Sequence, residues 1–364
     1  MPLLLAALLV GLPLSGALLA GNSVFEYLEF PPLTRHVQHA QFSWAVFIAL
    51  SAIELALLGT IIARYFPRAQ RRPEQAKRYP YPWWGWIAFL FVLLFWSLAW
   101  TRFDWYRPLQ SWGFALLWMS YVVMINAMSF RRSGVCLLTH ETRYFASLFP
   151  ASAAFWWYFE YLNRFVQNWY YSGIEAFTSS QYVLHATIAF ATVLPAVMST
   201  MEFMKSFPWL KCDIFQGHNF IEPSKLDILF ILLLSSFGLM GVSVWPDYLY
   251  PLVWILPILS LESLLRLFGL ESPLTRIWNR QRDLLGLAML SALVCGFFWE
   301  MWNYYSSPKW IYSIPFVHRF LIFEMPVLGY LGYLPFGLEC LVVADLVRRI
   351  VARNRGFSKC HSVI

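Results

Sequence analysis

Two glutamates that lie in apolar sequence are the residues of this chain best suited to acid–base chemistry. Glu160 is followed after three residues by Asn163, and Glu300 is followed in the same way by Asn303. This spacing places the two members of each pair on one face of a helix. A carboxyl group in a low-dielectric interior tends to remain neutral, because desolvation disfavours the anion. Each glutamate is therefore a candidate proton donor.

Aromatic residues flank both glutamates. Their rings present a negative face that stabilises a cation without acting as a nucleophile. A buried acid with aromatic neighbours suits the protonation of an alkene and the shelter of the carbocation that results. The flanking residues are Trp156, Trp157, Tyr158, Phe159 and Tyr161 around the first glutamate, and Phe297, Phe298, Trp299, Trp302, Tyr304 and Tyr305 around the second.

Two structural interpretations of these residues stay open. Trp and Tyr are enriched in belts at membrane surfaces, and both aromatic clusters fall near the ends of apolar runs. An asparagine hydrogen-bonded to its glutamate could also serve only to hold two helices together. Together these interpretations explain the aromatic residues and the polar pairs without any chemistry.

The two glutamates belong to a series of residues that occurs twice in the same order. The offset between the copies is 143 residues for the aspartates, 140 for the glutamates and asparagines, and 137 for the last glutamates. So small a drift predicts that an ancestral unit was duplicated. The corresponding pairs are Asp104 and Asp247, Glu160 and Glu300, Asn163 and Asn303, Trp169 and Trp310, Pro195 and Pro335, and Glu202 and Glu339.

The composition predicts a polytopic membrane protein. Of the 364 residues, 59% are hydrophobic and only 13% are charged, and the mean hydropathy is +0.54. Apolar runs that are long enough to cross a bilayer predict about ten transmembrane helices. They lie near residues 3-20, 42-63, 84-101, 111-129, 145-161, 182-204, 226-244, 249-265, 284-302 and 326-347.

The distribution of basic residues predicts the orientation of these spans. With a cytoplasmic N-terminus, 21 of the 27 Lys and Arg residues fall in cytoplasmic loops or in the C-terminal tail. This asymmetry predicts a multi-pass protein of the inner (cytoplasmic) membrane with both termini in the cytoplasm. The net charge of +7 then faces anionic lipid headgroups, so no nucleic-acid partner is expected.

Charge and proline content divide the chain into three segments. Residues 1-82 hold two spans and a basic linker, residues 83-225 a first repeat, and residues 226-364 a second repeat with a basic tail. Each repeat contains four spans, and an even number gives both repeats the same orientation. The predicted fold class is therefore all-α, with two parallel four-helix repeats related by a pseudo-twofold axis along the membrane normal. No sheet is expected, because backbone groups in hydrocarbon must be satisfied within each helix.

Further acids extend the candidate site. A charge at the middle of a bilayer costs about 2.5 kcal/mol or more, so such residues normally face the interior of a helix bundle. We expect Glu54, Glu160, Glu202, Glu300 and Glu339 to point inward, and at least two of them to line one cavity. The candidate catalytic residues are Glu160, Glu300, Glu339 and Glu202, and the candidate substrate-binding residues are Trp157, Asn163, Trp299, Trp302, Asn303 and Trp310.

Neither a metal nor a cofactor is expected. The five cysteines form no CxxC pair. His36 and His39 are spaced for one helix face, but two histidines without a third ligand rarely form a metal site. The chain also has no paired-aspartate motif of the kind that binds a magnesium diphosphate.

The chain resembles the three-helix lycopene cyclase domain of carotenoid-making bacteria, archaea and fungi, which works as two copies. The resemblance covers about residues 106-204 and 248-347, and Glu339 departs from it because Cys340 stands where the family has a second acid. The resemblance implies a flavin-free membrane cyclase that protonates the end of a linear polyene and closes a ring. The residues that carry it are the run Tyr248 to Ser260, the helix end Trp299-Glu300, the loop with Trp310 and the run Leu334 to Glu339.

These features favour a bilayer-embedded enzyme that cyclises or isomerises a polyprenoid or carotenoid-like lipid. A proton-coupled transporter or lipid-binding protein would use the same buried carboxyl groups, and the prolines within several spans fit the broken helices of that class. A structural subunit of a larger complex would explain the packing features but not the repeated glutamates. The sequence leaves the oligomeric state open.

Overall fold

The computed structural model describes residues 2–32, 34–69, 78–211, 222–271, 274–275 and 282–361. This part of the chain is 75% helical. Long helices follow from the long apolar runs, because a helix satisfies all its backbone groups internally where no water is present. The helices are α1 (Pro2–Ala6), α2 (Leu12–Leu19), α3 (Val24–Leu28), α4 (Trp44–Ala69), α5 (Trp83–Trp100), α6 (Gly113–Ser133), α7 (Leu137–His140), α8 (Thr142–Val166), α9 (Ser179–Phe190), α10 (Val193–Lys205), α11 (Lys225–Val244), α12 (Pro246–Leu249), α13 (Leu256–Leu267), α14 (Asp283–Asn303) and α15 (Tyr333–His361).

Seven helical segments in the described ranges are long and apolar enough to cross a membrane. An eighth is the bent pair Pro246–Trp254 and Leu256–Leu267, whose parts meet at 51°. The predicted all-α, multi-pass membrane class is thus confirmed. The two other predicted spans, 3-20 and 145-161, also fall on helices, but the first is shorter and neither is among the seven. The count of ten stays a prediction.

Two short antiparallel ribbons correct the expectation that the chain contains no sheet. β1 (Trp169–Ser172) pairs with β2 (Lys309–Tyr312), and β3 (Leu321–Ile322) pairs with β4 (Met325–Pro326). The β1–β2 pair consists largely of aromatic and branched residues, which favour strands. Its strands lie between helices and supply each other's backbone partners.

The register of β1 and β2 brings the two Trp-x-Tyr segments of the sequence together. Trp169 lies opposite Tyr312, and Tyr171 lies opposite Trp310. Tyr170 and Ile311, the middle residues of the two segments, lie opposite each other. A rotation of 180° about an axis between these two residues would exchange the segments.

The core of the bundle is formed by α6, α8, α10, α14 and α15. Helix α10 packs on α6, α8 and α14, while α15 packs on α14 and α8. Segments of 3-10 helix precede three of the helices, namely Asp104–Trp112 before α6, Tyr250–Trp254 before α13 and Val327–Gly332 before α15. Helix α4 lies at the periphery of the bundle. Only 6% of its most apolar stretch is buried.

A glycine sets the closest approach between α14 and α15. A Cβ atom added at Gly337 would lie 2.3 Å from the carbonyl oxygen of Ala288, which is backbone and cannot move aside. Gly59 of α4 offers a contrast, because no described atom lies within 4 Å of an added Cβ.

We expect Gly337→Ala to lower the free energy of unfolding by about 1–3 kcal/mol, the usual cost of overpacking. Gly59→Ala should leave the melting temperature unchanged or slightly higher, because alanine is the better helix former. Thermal unfolding of both variants in detergent checks this. Equal melting temperatures for the two variants would contradict the close approach of α14 and α15.

Candidate functional site

A cavity of about 510 Å³ lies inside the bundle and is bounded mainly by apolar and aromatic side chains. The ribbon β1–β2 forms one part of its wall, and α9, α15 and the 3-10 segments form much of the rest. Leu50 and Leu57 of the peripheral helix α4 also line it. The volume is within the usual range of small-molecule sites.

Glu160 lies near the end of α8 and is fully buried. Its Oε1 accepts three hydrogen bonds, from the Tyr171 hydroxyl at 2.6 Å, from Trp169 Nε1 at 3.0 Å and from Trp156 Nε1 at 3.2 Å. Its Oε2 has no partner among the described residues. Two of the three donors come from β1, so the strand and the helix end are joined through one carboxyl oxygen.

Glu300 has a similar environment near the end of α14. Its Oε1 accepts hydrogen bonds from the hydroxyls of Tyr312 at 2.8 Å and Tyr333 at 2.7 Å. Trp310 Nε1 donates to the Tyr312 hydroxyl at 2.9 Å, which completes a chain from β2 to the carboxyl group. Glu300 is also fully buried, and its Oε2 lacks a partner within the described ranges.

Tyrosine side chains, and not the carboxyl groups to which they bond, line the cavity. Tyr171, Tyr312 and Tyr333 line the cavity, whereas neither glutamate does. Burial raises the pKa of Tyr171 and of Tyr312 well above the ordinary value, and the adjacent carboxyl group raises it further. Both hydroxyls therefore keep their protons and can donate them in hydrogen bonds.

These tyrosines are not among the site residues predicted from the sequence. Tyr171 and Tyr312 each end a Trp-x-Tyr segment of the repeated series, and that repetition was the signal available. Their side chains return to the glutamates only because β1 and β2 fold back over the helix ends, which no local pattern predicts. Tyr333 reaches Glu300 from α15, a helix that begins 33 residues later.

The two asparagines, which were predicted to bind substrate, form hydrogen bonds to the backbone of the ribbon. Asn163 accepts from the backbone amides of Asn168 and Trp169 at 2.8 and 3.3 Å, and donates to the Trp169 carbonyl at 2.7 Å. Asn303 makes the equivalent pair of bonds to the backbone of Trp310, at 2.9 and 2.8 Å. Both side chains are fully buried, and neither lines the cavity. They fix the strands to the helix ends.

The predicted tryptophans divide into two groups. Trp299 and Trp310 line the cavity, and their assignment to substrate binding stays a prediction. Trp302 is buried away from it and packs on Trp118 with ring centroids 4.9 Å apart. Trp157 also lies off the cavity wall, and its Nε1 donates to the Thr187 hydroxyl at 3.0 Å.

The remaining predicted acids do not line this cavity either, so the expectation that at least two acids line one cavity was wrong. Glu339 of α15 is buried and faces the backbone amide of Ile258 in the first turn of α13, outside hydrogen-bond geometry, so neither of its oxygens has a described partner. Glu202 lies near the end of α10, about one-third exposed, in an ion pair with Lys205 at 3.3 Å. Glu54 borders a second, smaller cavity beside α4. Of the five acids expected to point inward, Glu160, Glu300 and Glu339 are buried, whereas Glu202 and Glu54 are partly exposed.

Known proteins provide no template for this site. No protein-family model, curated protein or solved structure matches the chain. Within the described ranges, no group of three or more His, Cys, Asp or Glu side chains is arranged to hold a metal ion. The function has to be inferred from the geometry of the side chains around the cavity.

We expect Asn163→Ala and Asn303→Ala each to destabilise the protein by about 1–3 kcal/mol, because each leaves buried backbone groups of a strand without partners. Asn22→Ala is the matched control, since the Asn22 amide makes only an exposed bond to Tyr27 at 3.2 Å. Denaturant unfolding in detergent measures the difference. Stability equal to that of the control would show that the asparagines do not hold the ribbon.

Proposed function

We propose that the protein is a membrane-embedded acid–base isomerase or cyclase that acts on a polyprenoid or carotenoid-like lipid. The observation that carries the proposal is that two buried carboxyl groups each accept hydrogen bonds from tyrosines that line one apolar cavity. A cavity with this lining favours a hydrocarbon ligand over a charged one. The resemblance to the lycopene cyclase domain suggests the substrate class.

Each glutamate and its tyrosine form a unit that can hold or release one proton. When Glu160 is ionised, the Tyr171 hydroxyl donates to it, as the 2.6 Å contact indicates. When Glu160 is neutral, its proton can bond to the Tyr171 oxygen, and the Tyr171 hydroxyl is then free to donate into the cavity. The hydroxyl thus relays a proton between the carboxyl group and a ligand. Tyr312 and Tyr333 can do the same for Glu300.

Two such units make a redox-neutral reaction possible. One neutral unit donates a proton to an alkene carbon, forming a C–H bond and a carbocation. The cation then closes a ring or shifts the double bond, and a C–H bond elsewhere breaks and delivers its proton to the ionised unit. Trp169, Trp254 and Trp299 line the cavity, and their rings can stabilise the cation without trapping it.

We further propose that residues 83-225 and 226-364 contain duplicated units with a pseudo-twofold axis along the membrane normal. Reciprocal contacts support this symmetry, since α8 packs on α15 of the other unit while α10 packs on α14. Tyr170 opposite Ile311 would place the axis through the ribbon. With α8 and the N-terminal helices counted as spans, the chain would cross the cytoplasmic membrane ten times and have both termini in the cytoplasm.

A proton-coupled transporter or lipid-binding protein is the second candidate. It is favoured by the broken span Pro246–Trp254 and Leu256–Leu267, with its bend of 51°. Glu339 lies against the first turn of the second part, buried and without a described partner. Broken helices next to a buried acid are typical of sites for coupled ions.

We expect Glu300→Gln to remain folded and to lose turnover by roughly 100-fold or more, the scale of general acid catalysis. The amide keeps the shape of the side chain but removes the exchangeable acid. Glu202→Gln is the matched control, because Glu202 forms a partly exposed ion pair with Lys205. This variant should retain activity. Conversion of lycopene or another linear polyprenoid in membranes, followed by chromatography, measures turnover.

Transport without conversion of any polyprenoid would contradict the enzyme proposal. If the wild type converts no polyprenoid and vesicles containing it take up a lipid or solute in response to a proton gradient, the enzyme proposal fails. The transporter would then be the better description.

We also expect Tyr312→Phe and Tyr171→Phe to reduce turnover while leaving KM close to that of the wild type. Each change keeps the ring on the cavity wall and removes only the hydroxyl that relays the proton. Tyr248→Phe is a suitable control, because Tyr248 is largely exposed and lies off the cavity wall. Unchanged turnover in both relay variants would mean that the tyrosines only support the glutamates structurally.

A further inference from the structure

A second pair of side chains on the cavity wall has the geometry of an activated nucleophile. Ser111 Oγ lies 3.0 Å from His185 Nε2, and His185 Nδ1 lies 2.7 Å from the backbone oxygen of Gln181. A carbonyl oxygen can only accept, so Nδ1 carries the hydrogen and Nε2 has a free lone pair. The Ser111 hydroxyl is therefore the donor to Nε2. A nucleophile, a base and a group that orients the base are thus aligned.

Aromatic rings and helix capping hold the imidazole in this orientation. The ring of Trp112 lies 4.3 Å from the His185 ring, and Phe177 stacks on it at 5.0 Å with an interplanar angle of 22°. Their faces can stabilise the imidazolium that forms when His185 takes a proton. Gln181 is itself fixed, because it and Thr178 form a capping box at the start of α9.

Ser111 is also held in place by its own segment. The neighbouring Gln110 donates through Nε2 to the carbonyl oxygens of Leu98 and Ala99, both at 3.1 Å, which ties the 3-10 segment to the end of α5. Ser111 and His185 both line the cavity that Tyr171 and Tyr312 border. A lipid that fills the cavity would meet the hydroxyl directly.

The pair occurs on one side of the cavity only. By the offset of 143 residues at the aspartates, Ser111 corresponds to Trp254, which also lines the cavity. His185 has no counterpart in local structure, because it lies on α9 whereas residue 325 lies in β4. A serine hydroxyl therefore occurs at only one of the two positions that the repeated series pairs.

We infer that Ser111 and His185 form a dyad for acyl transfer from an ester-linked lipid, an activity distinct from the proposed isomerisation. Ser111 Oγ attacks the ester carbonyl and its proton passes to His185 Nε2. The bond to the leaving alcohol breaks, the alcohol takes that proton, and the acyl group stays on Ser111. Water, or the hydroxyl of a second lipid, then attacks the acyl-enzyme with His185 as the base and restores free Ser111.

An amide on the same wall suits the charge that develops on the carbonyl oxygen. Asn168 is almost fully buried and lines the cavity. Its Nδ2 group is the part of the amide that can donate, whereas its Oδ1 is an acceptor. Amide N–H groups are common donors to such oxyanions.

A long-chain alkyl fluorophosphonate tests the dyad, because it forms a stable adduct only with an activated serine. Treated with this probe in detergent, the full-length protein should gain one adduct, which peptide mass spectrometry assigns to Ser111. Ser111→Ala should abolish it, and His185→Phe, which keeps an aromatic ring between Trp112 and Phe177, should slow labelling by about 100-fold or more. Ser180→Ala changes an exposed serine of α9, the helix that carries His185, and this variant should label like the wild type.

Two outcomes would overturn the inference. One is a folded wild-type protein, judged by its thermal unfolding, that shows no adduct on Ser111. The other is equal labelling of Ser111 in the wild type and in folded His185→Phe. Labelling of Ser111 needs no polyprenoid substrate, so failure of the dyad and failure of the proposed isomerisation remain distinguishable. A fatty-acyl ester of a fluorescent alcohol gives the second readout, with an initial burst of alcohol that Ser111→Ala lacks.

Discussion

The burial of Glu160 and Glu300 is the constraint on which the rest of the site depends. A fully buried carboxyl group is tolerated only when hydrogen bonds replace those that water would supply. Trp and Tyr side chains from β1, β2 and α15 supply them to one oxygen of each glutamate. The ribbon is therefore tied to the helix ends, and the tyrosines that satisfy the carboxyl groups become the wall of the cavity.

In this arrangement, the residues that hold the strands in place differ from those that line the cavity. Asn163 and Asn303 fix the backbone of the strands, and this leaves the side chains of Tyr171 and Tyr312 to bridge a buried acid and the apolar cavity. One oxygen of each glutamate remains without a described partner, so neither network is closed. A buried polar network with one open position is costly in a purely structural role and useful where a proton must enter or leave.

The sequence predicted the positions of helices and the burial of Glu160 and Glu300, because the length of an apolar run and an acid within it are local signals. Spans such as Trp83–Trp100 and Asp283–Asn303 lie close to the predicted ranges. It could not predict the ribbon, since residues 169–172 pair with residues about 140 positions later. For the same reason the sequence does not show that Asn163 and Asn303 bond to backbone groups of those strands. Residue type alone also does not reveal the ion pair of Glu202 with its neighbour Lys205 near the end of α10.

The central claim is that carboxyl–tyrosine pairs deliver a proton to a hydrocarbon ligand, and isotope incorporation tests it most directly. Membranes containing the protein would be equilibrated in D₂O and supplied with unlabelled lycopene or another linear polyprenoid. Because the hydroxyl and carboxyl protons exchange with solvent, we expect one carbon-bound deuterium in the product for each ring closed or double bond moved. A product free of solvent deuterium, formed at the same rate by the wild type and by Glu160→Gln and Glu300→Gln, would contradict the claim.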